Sequence, residues 1–281
     1  MEREDIVRCL VVAAGALQLR VDGLPVFGWH NKSAGSRVLD SDGNRRWLRV
    51  LAWPVSEKNE SVWSGLKIAG QIHGVKKPSW LGEFEWDQNG LRCRADILEL
   101  INDKPISQTP NLSSKIQLPD SWFQELRGSI ESLHRTETNR VCVRQDLITR
   151  RLQERFGQAV DVNITEWETS HGDMHWANLT APQCWLLDWE AWGVAPRGFD
   201  VALLYCFTLG QPQMANSIYE FFHDWLSTPS GEKAQMFSCA ELMRMTELYS
   251  DHRELYPHLE RLAEKFAVRN GLTVLKSKQR N

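Results

Sequence analysis

The sequence has no C-x-x-C pair, no uninterrupted run of about 18 apolar residues and no block of basic residues. The scattered cysteines argue against a zinc site or a redox motif and indicate reduced, mostly buried thiols. A formal net charge of −3 excludes a general attraction to nucleic acid, which we do not expect as a partner. The six cysteines are Cys9, Cys93, Cys142, Cys184, Cys206 and Cys239.

One apolar stretch, residues 9–19, has the length of a signal-peptide core. The residues before it carry Glu2, Glu4 and Asp5 where a signal peptide has net positive charge. We therefore expect this stretch to form a helix or strand packed on the fold. The protein is predicted to be cytoplasmic, with no membrane partner.

The pattern of apolar residues divides the 281-residue chain into two parts. Residues 1–102 show short apolar or alternating runs separated by turn residues, which is typical of strands and hairpins, with one candidate helix at 57–72. A loop rich in Ser, Asn and Pro follows at 102–120, and apolar residues then recur at helical spacing through residues 103–281. These patterns predict an α+β protein with a sheet lobe and a larger helical lobe. The predicted strands are 26–29, 36–39, 47–53, 80–86 and 91–100.

The chemistry is concentrated in three short segments between residues 164 and 209. The first contains Asp173 and, five positions later, Asn178; the second ends an apolar run at Asp188. Phosphoryl transfer requires an oriented acceptor hydroxyl and a magnesium ion held against the triphosphate. Carboxylate and amide oxygens suit both tasks, because magnesium takes hard oxygen ligands and few protein carboxylates. Glu190 is either a second metal ligand or a solvated or salt-bridged residue.

The motifs His-Gly-Asp-x-x-x-x-Asn, Leu-Leu-Asp-Trp-Glu and Gly-Phe-Asp-x-Ala-Leu-Leu occur here in that order and spacing. This order resembles the aminoglycoside phosphotransferase and choline kinase-like family, which has a two-lobed protein-kinase-like fold. The resemblance implies that Asp173 is the catalytic base, that His171 supports its loop, and that Asn178 and Asp188 bind Mg²⁺. It also implies that Asp200 anchors the catalytic loop through backbone amides.

The same resemblance implies a nucleotide-binding lobe at residues 1–102, where the match is weaker. A hairpin over the phosphates is expected at 27–38, with its turn at 31–36 containing Ser33 and Gly35. Arg49 stands where the family has Lys, and retains the charge with a different reach. Its expected partner is Glu60, which alternatively favours the positive end of its helix. The backbone of Glu99 and Ile101 is expected to meet the base of ATP or GTP.

Three functions remain open from the sequence. The first is a kinase for a hydroxyl of a small molecule, such as an aminoglycoside-like or other amino-containing metabolite. The second is a kinase of peptide Ser or Thr residues in a natural-product pathway, working with a partner subunit. The third is a non-catalytic kinase-like scaffold, which the replacement of Lys by Arg49 keeps open.

Overall fold

The computed structural model describes residues 1–56 and 60–275. It divides into two compact units, the first comprising Met1–Gly70 and Lys77–Asn102, the second Gln71–Lys76 and Asp103–Asn281. The sequence pattern did not indicate that Gln71–Lys76 belongs with the helical unit.

The described part of the first unit is an antiparallel sheet with two helices. Six strands form the sheet in the order β1-β3-β4-β6-β5, with β2 pairing with the edge of β3. The elements are α1 (Arg3–Ala16), β1 (Arg20–Val21), β2 (Val26–Phe27), β3 (Ser33–Leu39), β4 (Arg45–Pro54), α2 (Glu60–Ala69), β5 (Trp80–Gln88) and β6 (Leu91–Glu99).

Alternation along the strands separates two faces of this sheet. One face carries small and branched side chains, including Val50 and Ala95, and packs against the apolar side of α1. The stretch at 9–19 thus lies largely within a helix. The other face carries Arg49 and a buried ion pair in which Arg94 Nη2 lies 2.8 Å from Asp96 Oδ1.

Several predicted elements shift at their ends. The helix expected at 57–72 is present at Glu60–Ala69, and residues 57–59 of that prediction lie outside the described residues. The prediction of a turn at 31–36 is wrong, because Ser33 begins strand β3 and Gly35 lies within the same strand. The β2–β3 connection is instead at residues 28–32 and includes a 3₁₀ turn at Trp29–Asn31.

The second unit is mainly helical, as the apolar spacing predicts. Helix α8 lies at its centre and packs against α4, α5 and α9. Its elements are β7 (Lys104–Pro105), α3 (Asp120–His134), α4 (Gln145–Phe156), β8 (Trp167–Ser170), β9 (Thr180–Ala181), β10 (Gly193–Pro196), α5 (Phe199–Thr208), α6 (Pro212–Phe221), α7 (His223–Leu226), α8 (Pro229–Leu248) and α9 (Tyr256–Arg269).

The predicted α+β class is confirmed by this division into a strand-rich and a helix-rich part. Within the described ranges, none of the helices combines the length and apolar character needed to cross a membrane.

Candidate active site

The loop that carries Asp173 is held at its start by Asp200. Strand β8 ends at Ser170 and pairs antiparallel with β10, which leads directly into helix α5. Asp200, in the first turn of α5, accepts hydrogen bonds from the backbone N–H of His171 at 2.7 Å and of Gly172 at 2.9 Å. Burial raises the pKa of Asp200, and these two amides together with His171 oppose the rise. Since both oxygens accept N–H donors, the ionised carboxylate fits this geometry.

Gly172 can only be glycine at this position for two reasons. Its φ of +85° lies in the left-handed region that L side chains avoid. A Cβ there would also lie 2.5 Å from Sγ of Cys142 and 2.8 Å from the carbonyl oxygen of Ala191. The loop that carries Asp173 is therefore in close contact with the segment that follows Asp188.

His171 connects this loop to the residue before Asp188. The backbone N–H of Asp173 donates to Nδ1 of His171 at 3.3 Å, so Nδ1 is the acceptor nitrogen. Nε2 then carries the proton and donates to the carbonyl oxygen of Leu187 at 2.9 Å. The ring is buried and meets Trp189 edge to face, with centroids 4.7 Å apart. These contacts give His171 a supporting position.

Asp173 is oriented through one of its two carboxylate oxygens. Nδ2 of Asn178 donates to the backbone oxygen of Asp173 at 2.9 Å and to its Oδ2 at 3.0 Å, which uses both amide hydrogens. His175 Nε2 lies 3.4 Å from the same Oδ2 and 3.3 Å from Asn178 Nδ2. Because Asn178 has no hydrogen left to donate, His175 must carry its proton on Nε2 and direct it to Asp173. Oδ1 of Asp173 accepts no hydrogen bond from the described residues.

The charges around Asp173 keep it ionised. Desolvation acts to raise its pKa, but attraction and hydrogen bonding by His175, with smaller contributions from His171 and Asn178, lower the pKa to about 2. For His175, burial acts to lower the pKa, and the carboxylates of Asp173 and Asp188 outweigh it and raise the pKa. The loop thus pairs a carboxylate with a histidine that has an increased affinity for protons.

A short hairpin brings Asp188 next to Asn178. The backbone N–H of Leu187 donates to the carbonyl oxygen of Asn178 at 2.8 Å, and Leu179 bridges Leu186 in antiparallel register. Asp188 follows with a φ of +62°, a left-handed conformation that Asp tolerates better than most residues. The chain therefore turns sharply at this residue.

The donor set at this hairpin fits a magnesium ion. Because Nδ2 of Asn178 faces Asp173, Oδ1 of Asn178 is available to a metal ion, and Asp188 would add a carboxylate. One carboxylate and one amide oxygen match the ligand preference of Mg²⁺. Glu190 is partly buried two residues further on, and its backbone carbonyl accepts a hydrogen bond from Arg140. Its role as a metal ligand stays a prediction.

In the first unit, Gly35 serves packing within the sheet. It lies opposite Arg49 on β4, and a Cβ on Gly35 would overlap the ring of Trp47. Ser33 pairs with Leu51 in the same ladder. The small residues of this segment therefore do not form a phosphate-binding turn.

The expected partner of Arg49 is engaged elsewhere. Glu60 forms an ion pair with Arg92 at 2.6 Å, because α2 begins above β6 and Arg92 also stacks on Trp63. Arg49 lies directly between Gly35 and Asp96 in the register of the sheet.

The segment expected to meet the base leaves the end of β6. Glu99 accepts hydrogen bonds from the backbone N–H and hydroxyl of Ser79, at 3.2 and 2.8 Å. Ile101 follows outside the strand, partly exposed. The base-binding role of this backbone stays a prediction.

Sequence reasoning missed two residues near the loop. Arg140 is distant from the motifs in sequence, on the long connection between α3 and α4. Glu168 lies three residues before His171 on β8, and its contact with Gly198 depends on the pairing of β8 with β10.

Comparison with known proteins identifies the fold through structure alone. No protein-family model matches the sequence, and no curated protein matches it either. Amicoumacin kinase hAmiN, solved in complex with AMP-PNP, Ca²⁺ and Ami, superposes with a TM-score of 0.57 at 11% identity, covering 94% of this chain and 96% of that one.

Two further structures show the same likeness. Macrolide 2'-phosphotransferase MphH from Brachybacterium faecium gives a TM-score of 0.54 at 13% identity, covering 91% of this chain and 98% of the other. A Thermobifida fusca YX-ER1 protein assigned as a fructosamine-3-kinase gives 0.52 at 16% identity, covering 94% and 100%. The chain therefore has the kinase-like fold of the aminoglycoside phosphotransferase-like kinases.

Proposed function

We propose that the protein is a phosphotransferase that moves the γ-phosphoryl group of a nucleoside triphosphate to a hydroxyl of a small molecule. The observation that carries the proposal is the arrangement of Asp173, in which Asn178 and His175 occupy Oδ2 and leave Oδ1 for a ligand. The fold supports it, since amicoumacin kinase and macrolide 2'-phosphotransferase are by name enzymes of this class.

Asp173 acts mainly by orientation in this mechanism. Its Oδ1 would accept a hydrogen bond from the acceptor hydroxyl and align the oxygen for in-line attack. A carboxylate with a pKa near 2 is a weak base, so we expect the proton to move late, when the attacking oxygen has become more acidic. The loose transition state of phosphoryl transfer makes little demand for early deprotonation.

Asn178 and Asp188 would hold magnesium at the hairpin described above. The ion, when bound with the nucleotide, neutralises the charge that develops on the transferred and leaving oxygens. Asp200 keeps the catalytic loop in register through the amides of His171 and Gly172, and His171 fixes the carbonyl that precedes Asp188.

The first unit would supply the nucleotide contacts. We propose that Arg49 grips phosphate oxygens, which a guanidinium does bidentately, and that the backbone of Glu99 and Ile101 receives the base of ATP or GTP. Ser33 and Gly35 lie in a strand, so any backbone contact with phosphate belongs to the 28–32 connection instead.

The test is calorimetric titration with ATP and with GTP, each with and without Mg²⁺, on the wild type, Asp188→Asn and Asp161→Asn. Asp161 is a matched control because its carboxylate pairs with Lys233 on the surface. We expect magnesium to strengthen nucleotide binding in the wild type and the control, and to have no such effect in Asp188→Asn. Absence of binding by the wild type would refute the kinase mechanism and favour the scaffold reading.

The acceptor is then sought by measuring how much each candidate compound increases the release of ADP from ATP or of GDP from GTP. Hydroxylated amines, including aminoglycoside-like compounds, are compared with Ser- and Thr-containing peptides at equal concentration. We propose an amino-containing small molecule as the acceptor. Turnover with peptides alone would instead support a peptide kinase.

A further inference from the structure

Arg140 lies in the connection between α3 and α4, and its guanidinium is directed at the segment that follows Asp188. Its Nε donates to the carbonyl oxygen of Trp192 at 3.0 Å, and its Nη2 donates to that of Glu190 at 2.9 Å. The guanidinium also lies 4.7 Å from the centroid of the Trp192 ring. It forms no ion pair with a carboxylate in the part of the chain that the structure describes.

Hydrogen bonds to strand β10 hold the backbone around Arg140, and they fix the point from which its side chain extends. The N–H of Val194 donates to the carbonyl oxygen of Arg140 at 2.8 Å, and the N–H of Cys142 donates to that of Val194 at 3.0 Å. The connection thus pairs with β10 just where β10 begins.

The two carbonyls that Arg140 binds flank Ala191, which contacts the catalytic loop. The Ala191 carbonyl oxygen limits Gly172, since a Cβ there would come within 2.8 Å of it. The Arg140 side chain therefore holds residues 190–192. These residues follow the proposed metal ligand Asp188 in sequence and contact the loop of Asp173 at Gly172.

We propose that Arg140 is a positioning residue, which fixes the segment 190–192 and thereby the direction of the Asp188 carboxylate toward the metal. This inference rests on the proposed function of Asp188. Two carbonyls spaced two residues apart match the forked donors of a guanidinium, which a single ammonium group cannot reproduce. Burial lowers the pKa of Arg140, but an arginine stays protonated, so both hydrogen bonds are charge-assisted.

The metal test uses Mn²⁺ as the probe, with the electron paramagnetic resonance signal of free Mn²⁺ as the readout, in the presence of ATP or GTP. Arg140→Ala should weaken Mn²⁺ binding about tenfold, the low end for loss of a partner outside the metal ligands. Nucleotide binding without metal should change less than twofold. Arg140→Lys should show an intermediate loss, and millimolar methylguanidinium should restore part of the affinity of Arg140→Ala. Arg144→Ala is the control, because Arg144 is exposed and pairs with Asp146.

Hydrogen exchange of the amides at residues 190–194 provides a readout that needs no nucleotide. Exchange there should accelerate in Arg140→Ala and stay unchanged in Arg144→Ala. If wild-type protein binds no Mn²⁺-nucleotide, the proposed function fails and the metal role of Arg140 fails with it. If wild-type binding is present and Arg140→Ala matches it in metal affinity, only the positioning role is overturned. Should Arg140→Ala not fold, Arg140→Lys decides by the same two measurements, and wild-type values for both overturn the proposal.

Discussion

Removing either member of the Glu168–His134 pair should reveal a dependence of stability on pH that the intact pair conceals. Glu168 Oε1 lies 3.1 Å from His134 Nε2 and also accepts the backbone N–H of Gly198 at 2.6 Å. Burial raises the pKa of Glu168 to about 7, and burial with the charges of Arg197 and Arg135 lowers the pKa of His134 to about 4. Between these values both groups are uncharged, so the contact is a hydrogen bond and not an ion pair.

The two shifts act on stability with opposite signs. Glu168 keeps its proton in the folded state up to about pH 7, while an unfolded glutamate loses it near 4.5, so stability falls as the pH rises from 4.5 to 7. His134 is unprotonated in the folded state down to about pH 4, while an unfolded histidine is protonated below 6.5, so stability rises from pH 4 to 6.5. Each of these two differences in pKa between the folded and the unfolded state corresponds to about 3 kcal/mol. In the wild type the two contributions nearly cancel between pH 4.5 and 6.5.

Single variants separate the contributions, because neither pKa shift is caused by the partner. Glu168→Gln should gain up to about 3 kcal/mol of stability, relative to the wild-type curve, as the pH rises from 4.5 to 6.5. His134→Gln should lose a similar amount over the same range. The free energy of unfolding is measured by urea titration with tryptophan fluorescence at several pH values between 4.5 and 7.5.

Wild-type curves give the background of all other titrating groups, so the difference between each variant and the wild type is the quantity of interest. Two difference curves of opposite slope would support the assignment. Two flat difference curves would refute it, because they would mean that both groups keep ordinary pKa values in the folded protein.

Three further substitutions test the loop itself. Asp173→Asn should lower phosphoryl transfer about 10²- to 10⁴-fold in a product-release assay once an acceptor is found, while calorimetry shows unchanged nucleotide affinity. His175→Gln should lower the turnover number with little change in the KM for nucleotide, since the His175 ring orients Asp173 Oδ2. An unchanged turnover number would show that His175 has no part in the reaction. Gly172→Ala should reduce the free energy of unfolding by about 2 kcal/mol or more in urea titration, because a left-handed φ is combined with a close contact to Ala191; wild-type stability would contradict that geometry.

The structure brings the predicted loop residues together because the contacts between them are short in range. His171, Asp173 and Asn178 lie within one turn-rich segment, and the apolar run before Asp188 leads back to Asn178. The spacing thus reflects contacts that a local hairpin makes, and the α+β division follows from periodicity in the same way.

The first unit was harder to predict because its contacts depend on strand register. Ser33 and Gly35 have the composition of a turn, yet they continue a strand because Ala34 and Val38 are buried against α1 and a ring covers Gly35. Glu60 was assigned to Arg49 by analogy, whereas its ion pair is with Arg92, a residue fixed only by how β6 lies under α2. Which residues of different elements lie opposite one another depends on the whole sheet, and the local composition of one segment does not show it.

Asp173, in the loop, and Asp200, on helix α5, are two neighbouring carboxylates whose environments differ. Asp200 is buried, its pKa is raised by that burial, and both oxygens are used by backbone amides, so it has no oxygen left for a substrate. Asp173 is partly exposed, its pKa is lowered to about 2, and only Oδ2 is occupied. Carboxylates whose environments move their pKa values apart divide their tasks. This geometry supports the proposal that Asp200 holds the loop and that Asp173 meets the acceptor. Exchanging Asp200 for Asn should then disturb the loop before it disturbs any bound ligand.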